Sequence, residues 1–178
     1  MILPPVIVYS NTNNRPPPWN VIFSEVRNEI LIQGITLESL NRVASSIETA
    51  DKQNKKVKIL LCKPDTRLMD YIETLVVSTK TASRSESAVQ MLKKIRQGLG
   101  ADERSNIEIR WHDNIPTFSL IVVDPNLDSG SMQIEPYMYK ISQEDRKIFR
   151  ITRQDHKELF DVHTKAFLKL WGDSESAD

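Results

Sequence analysis

The chain has little of what oxidised, membrane-embedded or nucleotide-cradling proteins are built from. Its single cysteine, Cys62, cannot close an intrachain disulfide, so a reducing, cytoplasmic setting is expected. Neither sign of charge is in surplus, with 24 basic and 24 acidic side chains. Without excess Lys and Arg to displace counterions from phosphates, non-specific nucleic-acid binding by this chain itself is disfavoured. No uninterrupted apolar run exceeds four residues, as at 59–62 and 120–123, whereas a membrane-spanning helix needs roughly 20. No membrane partner is expected. The five glycines never fall at G-x-G-x-x-G or P-loop spacing, which removes the standard phosphate cradles. The three histidines, His112, His156 and His163, include no i, i+4 pair, so neither a metal nor another cofactor is expected. Cys62 closes an apolar stretch and reads as a small buried hydrophobe.

Organisation begins with proline. Five of the nine prolines stand at positions 4, 5, 16, 17 and 18, and proline fixes φ and removes a donor. Residues 1–18 therefore read as an arm or linker, in which Val6 to Tyr9 could at most form an edge strand. Residues 173–178 are small and acidic and read as a disordered tail. Between them, residues 19–172 read as one α/β domain. Trp19, Ile22, Phe23, Val26 and Ile30 recur at helical spacing, and a short strand at 29–36 follows. Thr36 is placed to cap a helix carrying Leu40, Val43, Ala44 and Ile47. A buried-type strand at 56–62 stops at Lys63-Pro64, since the residue before proline leaves a ladder poorly. Asp65 can then cap a helix with Leu68, Ile72, Leu75 and Val76 on one face. A Ser/Thr-rich stretch separates it from a second helix with Ala88, Leu92, Ile95 and Leu99, stopped by Gly98 or Gly100. Strands follow at 107–111, 118–123, 132–139 and 148–151. A last helix opening at Asp155 has Leu159, Phe160, His163, Phe167, Leu170 and Trp171 as its inner face. Alternating elements force helical crossovers and parallel strands early, while later strands can pair by hairpins. The fold class is α/β, a mixed sheet flanked by helices on both faces.

The segment from Arg110 to Tyr139, RWHDNIPTFSLIVVDPNLDSGSMQIEPYMY, resembles the core of the phospholipase D-like superfamily. That signature is H-x-K-x-x-x-x-D followed by a Gly-Ser step. With its Asp on Asp124, its His falls on Thr117 and its Lys on Ser119, and Gly130-Ser131 supplies the later step. The chain is read as carrying no H-x-K pair. The helix leading into EILIQGIT, the strand KVKILLCKPDT and the closing HKELFDVHTKAFLKLW are similar to small bacterial domains of this kind.

In active members a His forms the phospho-enzyme and a Lys holds the charged oxygens. Replacing both removes most of the rate enhancement. The resemblance thus implies a phospholipase D-like fold with a degenerate site: a non-catalytic regulatory or ligand-binding domain, more pseudoenzyme than enzyme. It implies a homodimer, a small anionic ligand or a protein partner, and a ligand site formed by Arg110, His112, Thr117, Ser119 and Asp124. The arm suggests an upstream DNA-binding module outside this chain, which would make this the sensor part of a regulator. Two other readings stand beside it. One is a phosphodiesterase or nuclease with a rearranged site using His112 with Asp113 or Asp124. The other is an interaction module anchored by Trp19, Trp111, Trp171, Tyr137 and Tyr139.

Overall fold

The computed structural model describes residues 4–10, 15–35, 44–75, 81–98, 106–142 and 145–177. In chain order the elements are β1 (Ile7–Ser10), α1 (Trp19–Glu25), β2 (Glu29–Gly34), α2 (Ala44–Lys52), β3 (Lys56–Cys62), α3 (Thr66–Leu75) and α4 (Thr81–Gly98). Then come β4 (Ile107–His112), β5 (Phe118–Val123), β6 (Ser131–Pro136), β7 (Lys147–Thr152), α5 (Lys157–Gly172) and β8 (Glu175–Ser176). The expectations placed on Thr36, Leu40, Val43, Val76, Leu99 and Gly100 fall outside the described residues.

All eight strands join one mixed sheet in the order β1-β7-β6-β5-β2-β3-β4-β8. Connections containing helices make β2, β3 and β4 parallel. Short connections make β5, β6 and β7 antiparallel to one another. The two halves meet in the middle, where β5 runs antiparallel to β2 with Ile32 opposite Ile121. The carboxyl ends of β2, β3 and β4 therefore lie at the same end of the sheet as the start of β5.

Alternate residues of the strands enter separate apolar clusters, as the period of two requires. Ile30 and Ile32 of β2 with Ile59 and Leu61 of β3 pack with α1, α2 and α4 through Phe23, Ile47 and Leu92. Leu31, Leu60, Leu120, Val122 and Met132 pack instead on Phe160, Phe167 and Trp171 of α5. Burial of β3 on both sides explains why KVKILLC is nearly continuous in apolar residues rather than alternating. Asp65 caps α3 as expected, its carboxylate accepting from the Arg67 and Leu68 amides at 2.9 and 3.2 Å.

Two expectations are corrected and a third is met. The described part of the tail, 173–177, is not disordered: Glu175 and Ser176 pair antiparallel with Trp111 and Arg110, and Ala177 is buried. The paired backbone and a Lys63–Glu175 contact of 3.0 Å hold it there. The edge strand allowed for within the arm is present one residue further on, with Ile7–Ser10 pairing on β7 at the sheet edge. The inner face of α5 is turned from the expected one. Phe160, Thr164, Phe167 and Trp171 are buried, whereas Leu159 is 41% exposed and His163 is half-buried. Two neighbouring apolar stripes run along α5, and sequence spacing alone does not say which one faces the sheet. Asp155 precedes α5, closing a turn with the Thr152 hydroxyl at 2.7 Å.

Candidate functional site

Asp124 follows β5 in the left-handed region, at φ 50°, which Asp tolerates better than most residues. Its side chain is buried. One carboxylate oxygen accepts from the Arg27 amide at 2.9 Å, and the other from the Asn28 and Glu29 amides at 2.7 and 3.1 Å. Its own amide donates to the Glu29 carbonyl at 2.8 Å, and its carbonyl accepts from Leu127 at 3.0 Å. Gly130 closes this turn where no side chain fits: a Cβ there would lie 2.6 Å from the Asp124 carbonyl and 3.1 Å from the Phe160 ring. The Asp and Gly that carry the resemblance thus lock the α1–β2 turn to the end of β5. Arg27, Asn54, Lys56, Asp124 and Asn126 line an open depression of about 400 Å³ at this end.

Thr117 and Ser119 lie at the opposite end of β5, roughly 20 Å away at about 3.3 Å per residue. Thr117 is exposed, and its carbonyl accepts from the Tyr137 amide at 2.8 Å. Ser119 stands opposite Glu135 on β6, and its hydroxyl bonds the half-buried Tyr137 side chain. The Tyr137 hydroxyl also accepts from the Ile35 amide at 3.4 Å. Burial pushes the Tyr137 phenol well above its ordinary pKa, with the Glu135 charge adding to the shift.

Arg110 and His112 share this end of the sheet but the other side of it. Arg110 is beside Leu60, which packs on α5, whereas Ser119 shares the side of Ile121. Three strand steps at about 4.8 Å separate β4 from β5. Arg110 Nη1 donates to the Trp171 carbonyl at 2.9 Å, and its guanidinium lies 4.8 Å from the Trp171 ring centroid. It caps the carboxyl end of α5. His112 is only 3% exposed, beside Cys62, and no hydrogen bond of normal geometry reaches either ring nitrogen among the described residues. Burial pushes its pKa below the usual 6.5, outweighing the nearby Asn114 backbone and Asp113 carboxylate. Burial likewise pushes the Cys62 thiol up to about 12, with Asp113 adding to it. A protonated, buried thiol is a poor nucleophile.

The five expected residues therefore do not converge on one cleft. Thr117 and Ser119 belong together, Arg110 and His112 lie behind the sheet from Ser119, and Asp124 is at the far end. Three polar residues stand beside Ser119: Tyr137, which the sequence offers only as an interaction anchor, and Glu135 and Arg146, which it does not single out. Glu135 carries no local signal, because β6 alternates polar Ser131, Gln133 and Glu135 with Met132 and Ile134, and Arg146 approaches it only in the folded chain.

The signature itself needs a correction. His163-Thr164-Lys165 does have H-x-K spacing. It lies on α5, where residues two apart point about 200° away from each other, and Leu170 stands where the Asp would fall. His163 Nδ1 is 2.9 Å from the Leu159 carbonyl, and its ring is 5.5 Å from that of Phe118.

The described residues form an α/β fold with a mixed sheet of eight strands. No protein-family model matches the chain, and no curated protein matches its sequence. Among the solved structures similar in fold are the following two. One is the phosphatidylserine synthase of Haemophilus influenzae Rd KW20, at TM-score 0.55 and 11% identity over 96% of this chain and 39% of that one. The other is TrmBL2, an archaeal chromatin protein with a novel mode of DNA binding, at TM-score 0.54 and 16% identity over 97% of this chain and 54% of that one. The chain spans about half or less of either relative, and at such identities the likeness concerns the fold alone. No described helix is long and apolar enough to cross a membrane.

Proposed function

We propose that the chain is a non-catalytic regulatory domain of phospholipase D-like fold, with helices over both sides of its sheet. It binds a small anionic ligand or a protein partner where β2 ends and β5 begins. The observation that carries this reading is the occupation of the motif positions. Thr117 and Ser119 supply neither an imidazole nor a cation, and the Ser119 hydroxyl is tied to Tyr137. The alternative, hydrolysis through His112 with Asp113 or Asp124, is opposed by geometry: His112 is buried and the Asp124 carboxylate accepts three backbone amides at the other end of β5.

The likeness to a DNA-binding protein, only 54% of which is matched, fits the sensor part of a regulator. Balanced charge supports leaving any DNA contact to a separate module. A homodimer joined near the start of β5 completes the proposal, and light-scattering mass across a concentration series tests it; a strict monomer removes it. For catalysis, bis(p-nitrophenyl) phosphate is incubated with the protein, with and without divalent metal. No turnover above buffer is expected. Turnover abolished by His112→Ala overturns the non-catalytic reading.

A further inference from the structure

Arg146 is the charge in this fold whose surroundings account for it least. It immediately precedes β7 and is 6% exposed. Nη1 makes one long contact of 3.3 Å with Glu135 Oε1, where a guanidinium and a carboxylate in register would make two shorter ones. The guanidinium carbon lies 5.3 Å from the Tyr137 ring centroid. Nε is buried and has no hydrogen-bond partner among the described residues. A buried, unpaired N–H on a cation is costly unless something supplies the acceptor. Ser119 pairs with Glu135 across β5 and β6 and bonds Tyr137, so two hydroxyls stand beside the same ion pair.

We infer that Ser119, Glu135, Tyr137 and Arg146 form an oxyanion site, in which a carboxylate or phosphate group docks on the Nε edge of Arg146. This deepens, and rests on, the ligand-binding reading above. The planar fork suits two-oxygen acceptors in a way a lysine ammonium does not. Glu135 is the competing anion. Burial already raises its pKa despite Arg146, so an incoming group that takes over the cation meets a carboxyl disposed to become neutral.

The test is calorimetric titration of the full chain with inorganic phosphate, acetate and glycerol 3-phosphate, against sodium chloride at matched ionic strength. The first two represent free oxyanions, and the third an esterified headgroup. Saturable binding of at least one probe is expected, weakened at least tenfold by Arg146→Lys and tightened several-fold by Glu135→Gln. Circular dichroism melts confirm that each variant is folded. If Arg146→Lys does not fold, Glu135→Gln decides alone: tightening supports the site, and unchanged affinity overturns it. Absence of saturable binding by both wild type and Glu135→Gln, or equal binding by wild type and Arg146→Lys, also overturns it. Phosphodiester turnover is read on the same samples. Turnover sinks the non-catalytic reading without touching the anion site, and failed anion binding sinks the site while leaving that reading intact.

Discussion

Replacing Asp124 should weaken the fold far more than a turn residue ordinarily would. Its carboxylate accepts three backbone N–H groups at 2.7–3.1 Å, from residues 95 to 97 positions away in the chain. Hydrogen bonds to a charged group contribute about 1.5–3 kcal/mol each, but three sharing one carboxylate do not add, so Asp124→Ala should cost about 3–5 kcal/mol. The positive φ that Asp adopts more readily than Ala adds roughly 1 kcal/mol. Asp124→Asn keeps that backbone preference and one acceptor oxygen, and should cost about 2 kcal/mol. Urea unfolding followed by far-ultraviolet circular dichroism gives these differences directly. Thermal melts should fall by about 2–4 °C per kcal/mol for a domain of this size. If Asp124→Ala unfolds within about 0.5 kcal/mol of wild type, the ordinary range for an uninvolved surface position, the clamp does not hold the sheet as described.

Gly130→Ala places a methyl 2.6 Å from the Asp124 carbonyl. It should cost at least about 2 kcal/mol, as overpacking against backbone does, and a melt at the wild-type temperature refutes the close approach. His112 resists protonation in the fold, whereas the unfolded chain takes up that proton near pH 6.5. The unfolded state then binds more protons below that pH, so the stability due to neutral His112 is complete above pH 6.5. It is lost as pH falls toward the lower folded value, at up to about 1.4 kcal/mol per pH unit. His112→Leu should flatten the difference between urea melts at pH 7.5 and 5.0, and an unchanged difference refutes the assignment.

The elements legible in the sequence were those with local punctuation. β3 ends where Lys63-Pro64 interrupts the ladder, β5 is bounded by Pro116 and Asp124-Pro125, and α3 starts on the Asp65 cap. What stayed hidden depends on partners distant in the chain. Nothing near Phe118 shows that β5 will lie antiparallel against β2, and nothing in the acidic tail shows that β4 offers Glu175 and Ser176 an edge. The resemblance places Asp124 at a ligand, and a strand-end Asp reads the same in sequence whether it faces a cleft or three amides. Arg110 looked available until Trp171 supplied its acceptor. Glu135, Tyr137 and Arg146 are spread over two strand ends and a connection, so only the register of β5 with β6 brings them to Ser119.

The position of α5 has a consequence for biosynthesis. Phe160, Phe167 and Trp171 cover apolar side chains from β2, β3, β5, β6 and β7, drawn from both halves of the sheet. As the chain leaves the ribosome, Leu31 and Leu60 emerge some hundred residues before the helix that shields them. Until residue 171 is out, one side of the nascent sheet is a bare greasy surface, and a holdase chaperone would find its footing there.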